Sequence, residues 1–142
     1  MGVLDRLFKR KKKGEEEEIE KTSEKEREIT DLEKLCSDSP ETFEALKDTM
    51  FLDPRKIDTS FEDAISKAKE LEKAKDNLRA AVWYRIAGGL AIYEGNVSRV
   101  KECFDKYAKL TGTNLKILEI PEEAVKKAHE YYEKYLKDKE GS

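Results

Sequence analysis

The 142-residue chain contains no glutamine, has asparagine only at Asn77, Asn96 and Asn114, and has a single histidine, His129. A lone imidazole, far in sequence from both thiols, gives no zinc-ligand set and no nucleophile–base pair. Cysteine is limited to Cys36 and Cys103, with no C-x-x-C spacing. Two such thiols make no disulfide framework, and they suit small core positions in a reducing, cytoplasmic setting. No apolar run approaches the ~20 residues of a membrane span. At the start, Asp5 and Arg6 interrupt the apolar residues, so no signal-peptide core is read there. Neither a G-x-x-x-x-G-K-[ST] loop nor a G-x-G-x-x-G turn occurs, and Gly88-Gly89 falls inside an apolar stretch, not at a strand-to-helix turn. The expectation is a non-enzyme with no cofactor and no metal.

Charge is what the chain has in quantity. Charged residues make up 43% of it, yet they nearly cancel to a formal net of -3. Such a mixture favours helix and solubility but creates no global field that would recruit nucleic acid, so none is expected. Abundant Lys and Glu with few amides is also the composition seen in thermophile proteins.

Four zones follow from composition. Residues 1–13 place Val3, Leu4, Leu7 and Phe8 on one helical face beside Arg6, Lys9, Arg10, Lys11, Lys12 and Lys13. That pattern suits reversible attachment to an anionic membrane surface, peripheral and not spanning. A free tail or docking on a protein surface are its alternatives. Residues 14–30 form an acidic linker opening with Gly14 and Glu15 to Glu18, too polar to offset their ordering entropy by burial. Residues 31–138 carry helical periodicity, and 139–142 are a tail.

The periodicity predicts five to six helices and an all-α fold of antiparallel hairpins or a small bundle. One helix runs from Ser23 to Cys36. A second starts at Ser39-Pro40, has Phe43, Leu46 and Met50 on its face, and ends at Pro54. A third is capped at Thr59 or Ser60 and carries Phe61, Ala64, Ile65, Ala68 and Leu71. The stretch 77–94 is apolar on nearly all sides, which predicts a surrounded core helix. Its Gly88-Gly89 pair costs about 1 kcal/mol per glycine in propensity and implies that a neighbour approaches closely. Asn96 caps a helix that stops at Gly112. Residues 114–120 are expected to be extended, and Pro121 opens a last helix whose inner face is Val125, Ala128, Tyr132, Tyr135 and Leu136.

Helix, tight turn and helix over Ala81 to Gly112 resemble a tetratricopeptide (TPR) unit. Tyr84 falls on its large aromatic position and Gly88 on its small one, while Val100 and Phe104 match the second helix. Ala91 and Tyr107 depart from the pattern. Phe61, Ala64, Ala68 and Leu71 form a weaker copy 36 residues before Val97, Val100, Phe104 and Tyr107, so the resemblance spans about 41–138. It implies a protein or peptide partner held in a groove, with Arg79, Arg85 and Lys47 as candidate contacts. The function expected is a protein-interaction adaptor. The alternatives are a ligand-binding or enzymatic bundle with a pocket near Trp83 and Tyr84, or an oligomer subunit. Oligomeric state is left open.

Overall fold

The computed structural model describes residues 31–136. The segment 1–13, the linker 14–30 and the tail 139–142 lie outside the described residues. The chain divides into two units after Lys34; the elements named below belong to the second. The fold is all-α, and the described residues contain no strand. No helix among them is long and apolar enough to cross a membrane.

Helix α1 spans Pro40–Lys47. Proline at its first position suits a site where the backbone N–H has no partner in the helix. The Ser39 hydroxyl bonds the Thr42 hydroxyl at 2.6 Å and leaves the backbone amides uncapped. The helix stops seven residues before Pro54, earlier than the sequence pattern suggests. The Thr49 hydroxyl donates to the Ala45 carbonyl at 2.6 Å, while the Thr49 and Met50 amides both turn to the Leu46 carbonyl. That side-chain competition ends the helical ladder. The buried face is Thr42, Ala45 and Leu46, and Phe43 is only half-buried. Pro54 instead opens a 3-10 turn, Pro54–Lys56.

Helix α2, Phe61–Lys73, takes Ser60 and not Thr59 as its cap, with the Ser60 hydroxyl accepting from the Asp63 amide at 3.1 Å. Lys75 follows in left-handed backbone at φ 61, which brings the Asp76 amide to the Leu71 carbonyl. Helix α3, Asn77–Glu94, is capped by Asp76 and closed by Gly95 at φ +78. Helix α4, Val97–Thr111, is capped by Asn96 and closed by Gly112 at φ +69. Glycine fits both left-handed positions because it has no Cβ to clash.

Residues 116–118, expected to be extended, form a 3-10 turn, Lys116–Leu118. Side chains three apart eclipse in that geometry, so Leu115 and Leu118 share one half-buried side while Ile117 is fully buried. Helix α5 runs Pro121–Tyr131 and continues as a π-type turn, Tyr132–Leu136.

Helix α3 lies between α2 and α4, while α1 packs on α5 and on the 116–118 turn. Ala80, Tyr84 and Gly88 face the neighbouring helices. Ala80 and Tyr84 join Ala68 of α2 in a buried cluster, and Gly88 meets the Phe104 ring of α4. A Cβ on Gly88 would stand 2.7 Å from two atoms of that ring, so the missing side chain is what lets α4 close on α3. Gly89 has the same role toward a loop: the Phe51 ring fills the space its Cβ would need. Tyr132 holds that loop in place, donating its hydroxyl to the Phe51 carbonyl at 2.7 Å.

Candidate functional site

The three helices α2, α3 and α4 are tied by one polar link. The Tyr84 hydroxyl donates to Glu72 at 2.6 Å, and Lys106 reaches the other oxygen of the same carboxylate at 3.2 Å. Burial raises the Tyr84 phenol well above its ordinary range, and the Tyr84 hydrogen bond lowers the Glu72 carboxyl. A phenol held neutral and spent on a carboxylate is a brace, and nothing about it is poised for proton transfer. Burial likewise pushes the Cys103 thiol up to about 12, leaving it a small core residue with no nucleophilic character. The His129 Nε2–H donates to the Ile92 carbonyl at 3.0 Å, and its ring covers Gly95. Among the described residues no group of three or more His, Cys, Asp or Glu is placed to hold a metal ion.

Of the pocket region expected beside Trp83, Tyr84 and the paired glycines, the positions of Tyr84 and the glycines are occupied by the protein's own side chains. Tyr84 is buried against Glu72 and the cluster around Ala80, and the two glycine faces hold the Phe104 and Phe51 rings. Two depressions on the described surface lie elsewhere. One of about 720 Å³ is lined by Asp105, Lys109, Asn114, Leu115 and Glu119, and one of about 260 Å³ by Asp38, Thr42, Lys127 and Glu130. Both are open to solvent.

Helix α3 departs from the sequence reading in the way that bears on function. It is not surrounded along its whole length: Leu78 is 78% exposed, Val82 51% and Tyr93 42%. At 100° per residue, Leu78 and Val82 lie roughly 140° around the helix from the Ala80–Tyr84–Gly88 face. Gly89 and Tyr93 fall on the same outer stripe. There Phe51 covers Gly89, and Tyr132 packs edge-on against Tyr93 with ring centroids 5.2 Å apart. The outer stripe of α3 is therefore partly covered over its last turns by the protein itself, with Tyr93 still 42% exposed, whereas Leu78 and Val82 stand open over its first turns.

The three candidate contacts do not form one cluster. Arg79 is 75% exposed and pairs with Asp76 at 2.8 Å, the same residue whose other oxygen caps α3. Arg85 donates to the Asp48 carbonyl at 3.1 Å, which binds α3 to the end of α1. Lys47, next to Asp48, pairs with Glu44 at 2.9 Å, and the Glu44 hydrogen bond raises its ammonium pKa. Arg85 thus contacts the residue next to Lys47 at the α1–α3 junction. Arg79 projects roughly 120° around α3 from Arg85 and borders the open stripe. The membrane-contact candidates Val3, Leu4, Arg6, Leu7, Phe8, Lys9, Arg10, Lys11, Lys12 and Lys13 lie outside the described residues.

Sequence reasoning passed over Leu78 and assigned Val82 to the core. A signal was present: between Asn77 and Tyr93 there is no carboxylate, in a chain with 32 of them, and the only charges are Arg79 and Arg85. A solvated helix in this protein carries acids and lysines together, as α2 and α4 do, so their absence from 77–93 sets α3 apart from the solvated helices. No family model, curated protein or solved structure matches the chain.

Proposed function

We propose that this protein is a non-enzymatic helical adaptor that binds a protein partner through the open stripe of α3. The observation that carries the reading is the pair Leu78 and Val82, one turn apart and exposed, on a helix whose outer stripe is partly covered further along by Phe51 and Tyr132. Isolated exposed apolar residues are ordinary, but an aligned pair bordered by two arginines, with Asp76 at the cap as the acid beside it, approaches the make-up of an interface core, enriched in Arg and depleted of Glu and Asp. Support for a TPR-like unit over Ala81 to Gly112 comes from the close approach of Gly88 and Phe104, two positions on which that resemblance rests. The basic amphipathic segment 1–13 is proposed, on its sequence alone, as a second contact with an anionic membrane surface.

The test places a photo-crosslinking side chain at position 78 of the full chain, with exposed position 101 on α4 as the control. A species captured only at 78 is identified, purified and titrated directly against the chain. Direct binding that is lost in a Leu78→Glu, Val82→Glu variant with unchanged helicity supports the adaptor. Capture that is equal at both positions, or a captured protein that binds the double variant as well as the parent, would sink the proposal.

A further inference from the structure

Resting on that reading, we infer the chemistry of the partner: an amphipathic helix whose apolar side is flanked by carboxylates. The open stripe sets the shape. Leu78, Val82 and the half-buried Ile86 recur every four residues and span roughly 12 Å along α3, about two turns of a facing helix. Directly beyond them the protein shows how such a stripe is covered, because the helical turn at Tyr132 sets its ring on Tyr93. A partner helix lying on Leu78 and Val82 continues that packing toward the start of α3.

The charges set the sign. Arg79 borders the stripe on one side; its only carboxylate partner among the described residues is Asp76, and the side chain remains three-quarters exposed. Arg85 borders it on the other, bonded to the backbone carbonyl of Asp48. Lys75 stands exposed one residue before the helix cap. Over residues 75–93 the charges are Lys75, Arg79 and Arg85 against Asp76, a net positive balance that attracts carboxylates and repels a basic helix. A second copy of this chain is disfavoured by the same count: pairing two such stripes would bring Arg79 and Arg85 of each copy against those of the other. An anionic membrane would also take an apolar pair flanked by cations, so lipid is an outcome of the test. Vesicle co-sedimentation that Leu78→Glu, Val82→Glu abolishes would assign the stripe to a membrane and overturn the helix partner.

The test is a selection on the intact chain from a displayed library of amphipathic helices, each with a fixed leucine stripe and flanking positions randomised among Glu, Lys, Ser and Ala. The expected result is enrichment of Glu at the flanks. Selected peptides should bind at least tenfold more weakly to an Arg79→Glu, Arg85→Glu variant, and a Glu-to-Lys swap in the peptide should restore part of that loss. Binders that need Leu78 and Val82 but show no acidic preference would overturn the inference about charge while leaving the adaptor reading intact. An absence of binders, or binders indifferent to Leu78→Glu, Val82→Glu, would overturn both. A dimer in sedimentation equilibrium that Val82→Glu dissociates would assign the stripe to a second copy and overturn the acidic partner.

Discussion

Substitution of Gly88 by alanine separates two opposed effects whose sizes follow from the structure. An exposed mid-helix glycine replaced by alanine gains about 1 kcal/mol of stability, because alanine is the better helix former. Here the new methyl would sit 2.7 Å from Cε2 and Cζ of Phe104, a ring that is fully buried and has no solvent side to swing into. Overpacking of that kind costs about 1–3 kcal/mol. The difference predicts a net destabilisation of about 1 kcal/mol for Gly88→Ala, read from urea unfolding followed by circular dichroism. Phe104→Leu alone should cost about 1–2 kcal/mol, because it removes ring contacts that the Gly88 surface supplies. With both substitutions, the new methyl occupies part of the vacated space, so the pair should be less destabilised than the sum by about 1 kcal/mol or more. If Gly88→Ala instead stabilises by about 1 kcal/mol, and the two changes add without coupling, the close approach of α3 and α4 is not what the glycine serves.

Other outcomes follow from the same geometry. Lys75→Gly should stabilise the fold by about 0.5–1 kcal/mol in thermal unfolding, since it relieves left-handed backbone at φ 61 in a residue with a Cβ. Gly95→Ala should cost more than Gly112→Ala: both positions are left-handed, but a Cβ at 95 also meets the His129 ring at 2.8 Å, while nothing lies within 4 Å of one at 112. Tyr84→Phe should cost about 1 kcal/mol at pH 7. The Glu72 carboxyl is depressed in the folded state, so its contribution is present above its ordinary value of about 4.5 and is lost as pH falls through the lower folded value. The difference between parent and Tyr84→Phe in urea unfolding should therefore shrink from pH 7 toward pH 3, and a difference that grows on acidification would contradict the assignment. Cys103, fully buried with its thiol pushed up to about 12, should react with a disulfide reagent at pH 7 only at the rate at which the fold opens.

Much of the fold was legible in the sequence because punctuation and periodicity agreed. Gly95-Asn96 and Gly112 fixed both ends of α4, since a left-handed closing glycine and an asparagine cap leave few alternatives. The paired glycines announced a close approach, although the structure gives the second one to a loop ring, Phe51, and not to a helix. The end of α1 was misplaced because Pro54 is a loud signal and the Thr49 back-bond to Ala45 is a quiet one. The turn at 116–118 was missed because alternating apolar residues read as extended when the eclipsed 3-10 spacing is not considered. The candidate site was the least legible part. Apolar residues all around α3 signalled a core helix, but which of its sides lacks a neighbour depends on where Phe51 and Tyr132 arrive from far along the chain. Arg85 carried the right charge, yet its contact with the Asp48 carbonyl joins residues 37 apart, beyond the reach of local spacing.

The most direct test of the central claim is a calorimetric titration of the partner captured at position 78 against the intact chain and its Leu78→Glu, Val82→Glu variant. Burial of these two side chains is worth roughly 2–4 kcal/mol on association, so the account predicts that the variant binds about 30- to 1,000-fold more weakly while its melting curve stays that of the parent. Equal affinity for the two proteins would contradict it and move the search for function away from α3.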